Sequence, residues 1–186
     1  RSKNLDEQLG ATAQVILLMY LYGSLNDEIL IKEVMDIMKV SKMNVSRAFD
    51  ELISFKLATS INLGRSKLLK FHIHDFELWE KAQPHLFNPV KRTIWIDRLK
   101  FDNISTMKLV KSGELALSTS SMLMQPQHNT YAVELKKWNT IKELFSIEEL
   151  QHAHDGSVKI ELWRHDPSIL AREDIIDPLS LILSME

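Results

Sequence analysis

The sequence predicts an α+β chain in two parts, and three observations predict it. Apolar residues recur at helical spacing in three short runs before residue 56. The period then changes to that of paired strands on either side of Gly64-Arg65-Ser66. A further stretch, past the bracket of Pro84 and Pro89, mixes strand-like and helical runs. The expected division is residues 1–75 as a first domain, 76–90 as a connecting helix and linker, and 91–186 as a small α/β domain.

Each element has its own signal. Ala11–Tyr22 is apolar nearly throughout and stops at Gly23, so it reads as a buried helix with a glycine end. Asn26-Asp27-Glu28 offers a cap and acidic first-turn residues to a second helix, Ile29–Met38, with Leu30, Val34, Ile37 and Met38 at helical spacing. Lys39-Val40 is a tight turn. Ser41 can cap a third helix running to about Phe55, whose apolar seam is Val45, Ala48, Phe49, Leu52 and one of Ile53 or Phe55. Leu57–Leu63 and Lys67–His74 read as a hairpin. Three helices followed by a hairpin in about 65 residues is the winged helix-turn-helix order. Phe76–His85 reads as the connecting helix. In the second part, Lys91–Asp97, Thr130–Leu135 and Val158–Arg164 are strand candidates, Lys111–Met122 a helix, and Pro178–Met185 an apolar terminal run. Ser146–Gln151 reads as a short helix, with Ser146 and Glu149 at capping-box spacing.

Composition narrows the function classes. There are no cysteines, which excludes a disulfide framework or a cysteine-based zinc site. No apolar run is long enough to span a bilayer, and Arg1–Asp6 lacks the apolar core of a secretory leader. A cytoplasmic setting is expected, and the chain starts at Arg1 rather than Met, as a fragment would. The net charge of −2 conceals an asymmetry: residues 39–70 carry seven basic and two acidic side chains, while the segments on either side are net acidic. Local charge governs contact with phosphates, so the basic segment points to nucleic acid.

The third helix suits a DNA groove. A helix enters the major groove when its first turns project polar side chains and its opposite face packs on the protein. Ser41, Lys42, Met43, Asn44, Ser46 and Arg47 all lie off the apolar seam. Arg47 suits guanine or phosphate, Asn44 suits adenine, and the two serines suit either. The hairpin tip Gly64-Arg65-Ser66-Lys67 sets two cations around a turn fit for the sugar-phosphate backbone, and Lys70 extends the strip. Arg65 is the stronger candidate of these, because isolated basic residues on a hairpin are often plain surface.

Ser41-Lys42-Met43-Asn44-Val45-Ser46-Arg47-Ala48-Phe49-Asp50-Glu51-Leu52 resembles the recognition helix of MarR-family regulators, with Asn44 where threonine is usual. Leu57-Ala58 and Gly64-Arg65-Ser66-Lys67 resemble that family's helix exit and wing. The resemblance covers about a third of the chain. It implies a transcriptional regulator that binds double-stranded DNA, without enzymatic activity or a cofactor, and a homodimer on a pseudo-palindrome. In the second part, Ser112-Gly113-Glu114-Leu115-Ala116-Leu117, Pro126, Tyr131-Ala132-Val133 and Asp177-Pro178-Leu179-Ser180-Leu181 are similar to the C-terminal region of AbiEi-type antitoxins. That similarity implies a domain that binds a partner protein while the winged helix autoregulates. A small-molecule effector at the same domain is the other option.

Two further chemistries have weaker signals. His72 with His74, and His152 with His154 and Asp155, pair imidazoles and a carboxylate, but neither group has the further ligands that a zinc site needs. Glu134-Leu135-Lys136 at a strand end, with Glu114 upstream, matches the short Glu-x-Lys string of Mg²⁺-dependent nucleases. The string is common, and Glu114 sits where a carboxylate serves a helix start.

Overall fold

The computed structural model describes residues 7–185; Arg1–Asp6, read above for a leader, lie outside them. The chain is mixed α+β and divides into two compact units, one ending at Phe87 and the other beginning at Asn88.

The first unit is built around helix α1 (Ala11–Leu21), in which every side chain from Ala13 to Tyr20 is buried. A helix apolar on all sides belongs at the centre of a domain. Its end is set by Gly23, at φ 70°, with the Ser24 amide reaching back to the Met19 carbonyl at 2.9 Å. Strand β1 (Glu28–Leu30) and helix α2 (Ile31–Met38) follow. The sequence pattern places the start of this helix at Ile29, under a cap from Asn26–Glu28. Instead Ile29 pairs in a sheet with Leu69, and α2 starts at Ile31, with Leu30 at the cap position and no side-chain cap. The periodicity of Leu30, Val34 and Ile37 fits a helix, but only the tertiary partner reveals the strand.

Helix α3 (Lys42–Ser54) is capped by Ser41, whose Oγ accepts from the Asn44 amide at 3.2 Å. Val45, Ala48, Phe49 and Leu52 are its buried seam; Leu57, beyond the helix, completes it, while Ile53 and Phe55 stay half-buried. Strands β2 (Thr59–Leu63) and β3 (Ser66–Lys70) form a hairpin in which Leu63 faces Ser66 across Gly64-Arg65. Gly64 takes φ 58°, the left-handed region that such a short turn demands and glycine supplies. The sheet order is β1-β3-β2, all antiparallel. Strand β3 ends at Lys70, short of the expected His74.

Helix α4 (Asp75–Ala82) and the turn Gln83–His85 complete this unit. The segment expected as a connector is folded into the first unit's core: Leu78, Ala82 and Leu86 are buried. Gln14, buried within α1, exchanges two hydrogen bonds with the Phe87 backbone, at 2.9 and 3.0 Å.

The second unit centres on a four-stranded sheet of order β4-β7-β6-β5, from β4 (Val90–Asp97), β5 (Val110–Lys111), β6 (Thr130–Glu134) and β7 (Ser157–Trp163). Strands β6 and β7 are parallel; the other pairs are antiparallel. Side chains of β7 alternate between two cores. Val158, Ile160 and Leu162 pack with α5 (Arg98–Ile104) and α7 (Leu135–Leu144) through Phe101, Ile104, Trp138 and Ile141. Trp163 packs on the other side with α6 (Gly113–Ser120) and α8 (Pro178–Ser184) through Ala116 and Leu181.

One expected helix is absent. Ser146–Gln151 is irregular: Ser146 sits at φ 49° just past α7, and Glu149 accepts from Arg92 and Lys142 instead of capping a turn. Those bonds hold the Glu149 carboxyl well below the usual range, at about 2, with the Arg92 guanidinium the main cause. Among the described residues, no helix is long and apolar enough to cross a membrane.

Candidate nucleic-acid interface

The residues expected to meet DNA fall into an exposed set and a tethered set. Val45, Ala48, Phe49 and Leu52 fix the rotation of α3, so the opposite side faces solvent. Lys42, Met43, Ser46, Arg47 and Asp50 line one open depression on that side. Asn44 is exposed too but is not part of the depression, and its backbone N–H donates to the Ser41 cap. Arg65 stands exposed at the hairpin tip beside Ser66. Neither Lys42, Arg47 nor Arg65 makes an ion pair with a described residue.

Lys67 and Lys70 are placed differently. Lys67 Nζ donates to the carboxylate of Asp50, tying the hairpin to α3. Lys70 Nζ donates to Glu28 on β1 at 3.1 Å. These partners lie 17 and 42 residues away in sequence, beyond any local pattern. The acidic residues of the basic segment are likewise occupied. Asp50 faces Lys67, and Glu51 accepts the Gly10 amide at 2.7 Å at the start of α1. With these pairs formed, Lys42 and Arg47 on the leading turns of α3, and Arg65 at the hairpin tip, are cations without an ion-pair partner among the described residues.

No family model, curated protein or solved structure matches the chain. Free guanidinium and ammonium groups with hydroxyls on a solvent-facing helix present donors to an anionic surface.

The other candidate chemistries are dispersed. His72 Nε2 meets Thr59 Oγ1 at 2.6 Å, and His74 Nδ1 meets the Tyr20 hydroxyl at 2.5 Å, so the two imidazoles have separate partners. Tyr20 also donates to Asp27 and stacks on Phe71, and burial is the main cause that raises its phenol pKa. Among the described residues, no cluster of three or more His, Asp or Glu side chains is placed to hold a metal ion. The Glu-x-Lys string does not lie on one strand: Glu134 ends β6, while Leu135 and Lys136 open α7. Glu114 is exposed in the first turn of α6. The neighbouring Ser112 hydroxyl instead donates to buried Glu161 at 2.6 Å, alongside Trp163 Nε1 at 3.1 Å.

Proposed function

We propose that the first unit is a winged helix-turn-helix that binds double-stranded DNA, and that the chain is a MarR-like transcriptional regulator of the cytoplasm rather than an enzyme. Helix α3 enters the major groove, with Lys42, Met43, Ser46 and Arg47 towards the bases and phosphates, and Arg65 at the hairpin tip lies on the backbone. The observation that carries the reading is that Lys42 and Arg47 line one open depression on α3 and, like Arg65 at the tip, have no ion-pair partner among the described residues, while Asp50 is paired with Lys67 and Glu51 with the Gly10 amide. One such module has limited reach on a duplex, so a homodimer on a pseudo-palindrome is part of the proposal. The test is binding to a mixed-sequence duplex pool across a salt series. Affinity falls steeply with salt for the unaltered protein, and Arg47→Ala with Arg65→Ala flattens the log–log slope by up to about 2. No binding at low salt would falsify the reading.

A second reading concerns the other unit, whose Met122, Leu123 and Met124 are consecutive and exposed between α6 and β6. Such a run fits an AbiEi-like role in which this unit holds a partner protein. A partner that co-purifies with the unaltered chain and is lost from Met122→Ser/Met124→Ser, with the DNA salt slope unchanged, supports it.

A further inference from the structure

Among the side chains that line the depression on α3, one is apolar, Met43. Met43 is 67% exposed, the most exposed large apolar side chain of the first two turns, and it lies one turn before Arg47 on the side opposite the seam. Lys42, Ser46 and Arg47 around it are all polar. With two thirds of its surface in water, the thioether adds little to the core.

We infer that Met43 reads the 5-methyl group of a thymine, so the preferred duplex carries a thymine beside the group that Arg47 contacts. This deepens the proposal of DNA binding and rests on it. On the major-groove edge the thymine methyl is the apolar group; the other bases offer hydrogen-bond donors and acceptors there. An unbranched, polarisable side chain adjusts to a methyl at the groove floor. Lys42 and Arg47 hold the helix close enough through phosphates for that contact to form. Asp50, in the same depression, is neutralised by Lys67, so it does not repel the backbone at this approach. Discrimination then comes from the methyl contact, while the cations supply affinity that is nearly blind to sequence.

The experiment uses the full chain. Duplexes are selected from a random pool at low salt, and each thymine of the enriched sequence is replaced in turn by deoxyuridine, which removes only the methyl. At least one replacement weakens binding of the unaltered protein about three- to fourfold, the value of one buried methyl contact. Met43→Ala binds the thymine and uracil duplexes equally, with the affinity of the unaltered protein for the uracil duplex. Met43 is exposed and alanine favours the helix, so an unchanged urea midpoint checks the fold. The inference is overturned if no replacement matters, if the loss persists in Met43→Ala, or if the pool is bound without enrichment; each leaves DNA binding standing. Absence of pool binding at low salt overturns the parent reading instead.

Discussion

At the scale of single residues, the chain keeps some charges exposed and withdraws others, and His165 is the clearest case of withdrawal. Its ring is buried edge-on against Trp163 at 5.4 Å, and among the described residues Nε2 has no hydrogen-bond partner. Burial disfavours the imidazolium and lowers its pKa to about 4. An unfolded chain takes up this proton near pH 6.5, whereas the folded one waits until about pH 4. The neutral ring's contribution is thus complete above pH 6.5 and is lost as the pH falls towards 4. Between pH 7 and 5 this residue alone should remove about 2 kcal/mol of stability. His165→Phe keeps an aromatic ring in place without a proton to gain. Urea midpoints for both proteins at the two pH values check this: the unaltered chain should lose stability on acidification, and the variant much less. Equal losses would assign the acid sensitivity elsewhere.

At the scale of elements, the tie between α3 and the hairpin separates stability from binding. Asp50 and Lys67 are both partly exposed, and surface pairs of this kind contribute about 0–1 kcal/mol. Asp50→Asn should therefore leave the urea midpoint nearly unchanged. It frees Lys67 for a phosphate, so the salt dependence of DNA binding should steepen by about one unit. An unaltered slope would mean that the hairpin strand does not reach the backbone. How legible each element was follows from where its information lies. The seam Val45, Ala48, Phe49, Leu52 and the turn at Gly64 are local signals, and they locate α3 and the hairpin correctly. Exposure of Lys42 and Arg47 follows from the same periodicity, and that of Arg65 from its place in the turn. Strand β1 needs β3 as a partner, and three residues carry no period of their own. Helix α7 was hidden because β6 runs into it without a break, Glu134 serving as both strand end and cap position. The capping-box spacing at Ser146 misled because Glu149 finds stronger partners in Arg92 and Lys142. The engagement of Lys67 and Lys70 was out of reach for the same reason: their carboxylates come from distant segments.

At the scale of the whole molecule, the division of the chain decides which piece can fold alone. Composition places the first boundary near residue 75, since Pro84 and Pro89 have the look of a linker. The structure extends the first unit to Phe87. Helix α4 brings Leu78, Ala82 and Leu86 into the core, the Leu9 amide donates to His85 O at 2.8 Å, and Gln14 has both amide atoms satisfied by Phe87. A chain cut after residue 75 loses two leucine contacts worth about 2 kcal/mol each. It also strands a buried amide, at about 1–3 kcal/mol for each unpaired atom. Against the roughly 5 kcal/mol that a small domain holds in reserve, that loss is decisive. A fragment ending at residue 87 should therefore unfold cooperatively in urea, with a helical far-UV signal, while one ending at residue 75 should lack a cooperative transition. The longer fragment keeps Lys42, Arg47 and Arg65, so it should retain a salt-dependent affinity for mixed duplex DNA. If the second unit is what pairs two copies on the duplex, the fragment should bind more weakly than the full chain but with the slope of a single module. Full-chain affinity in the fragment would instead place self-association within the first 87 residues.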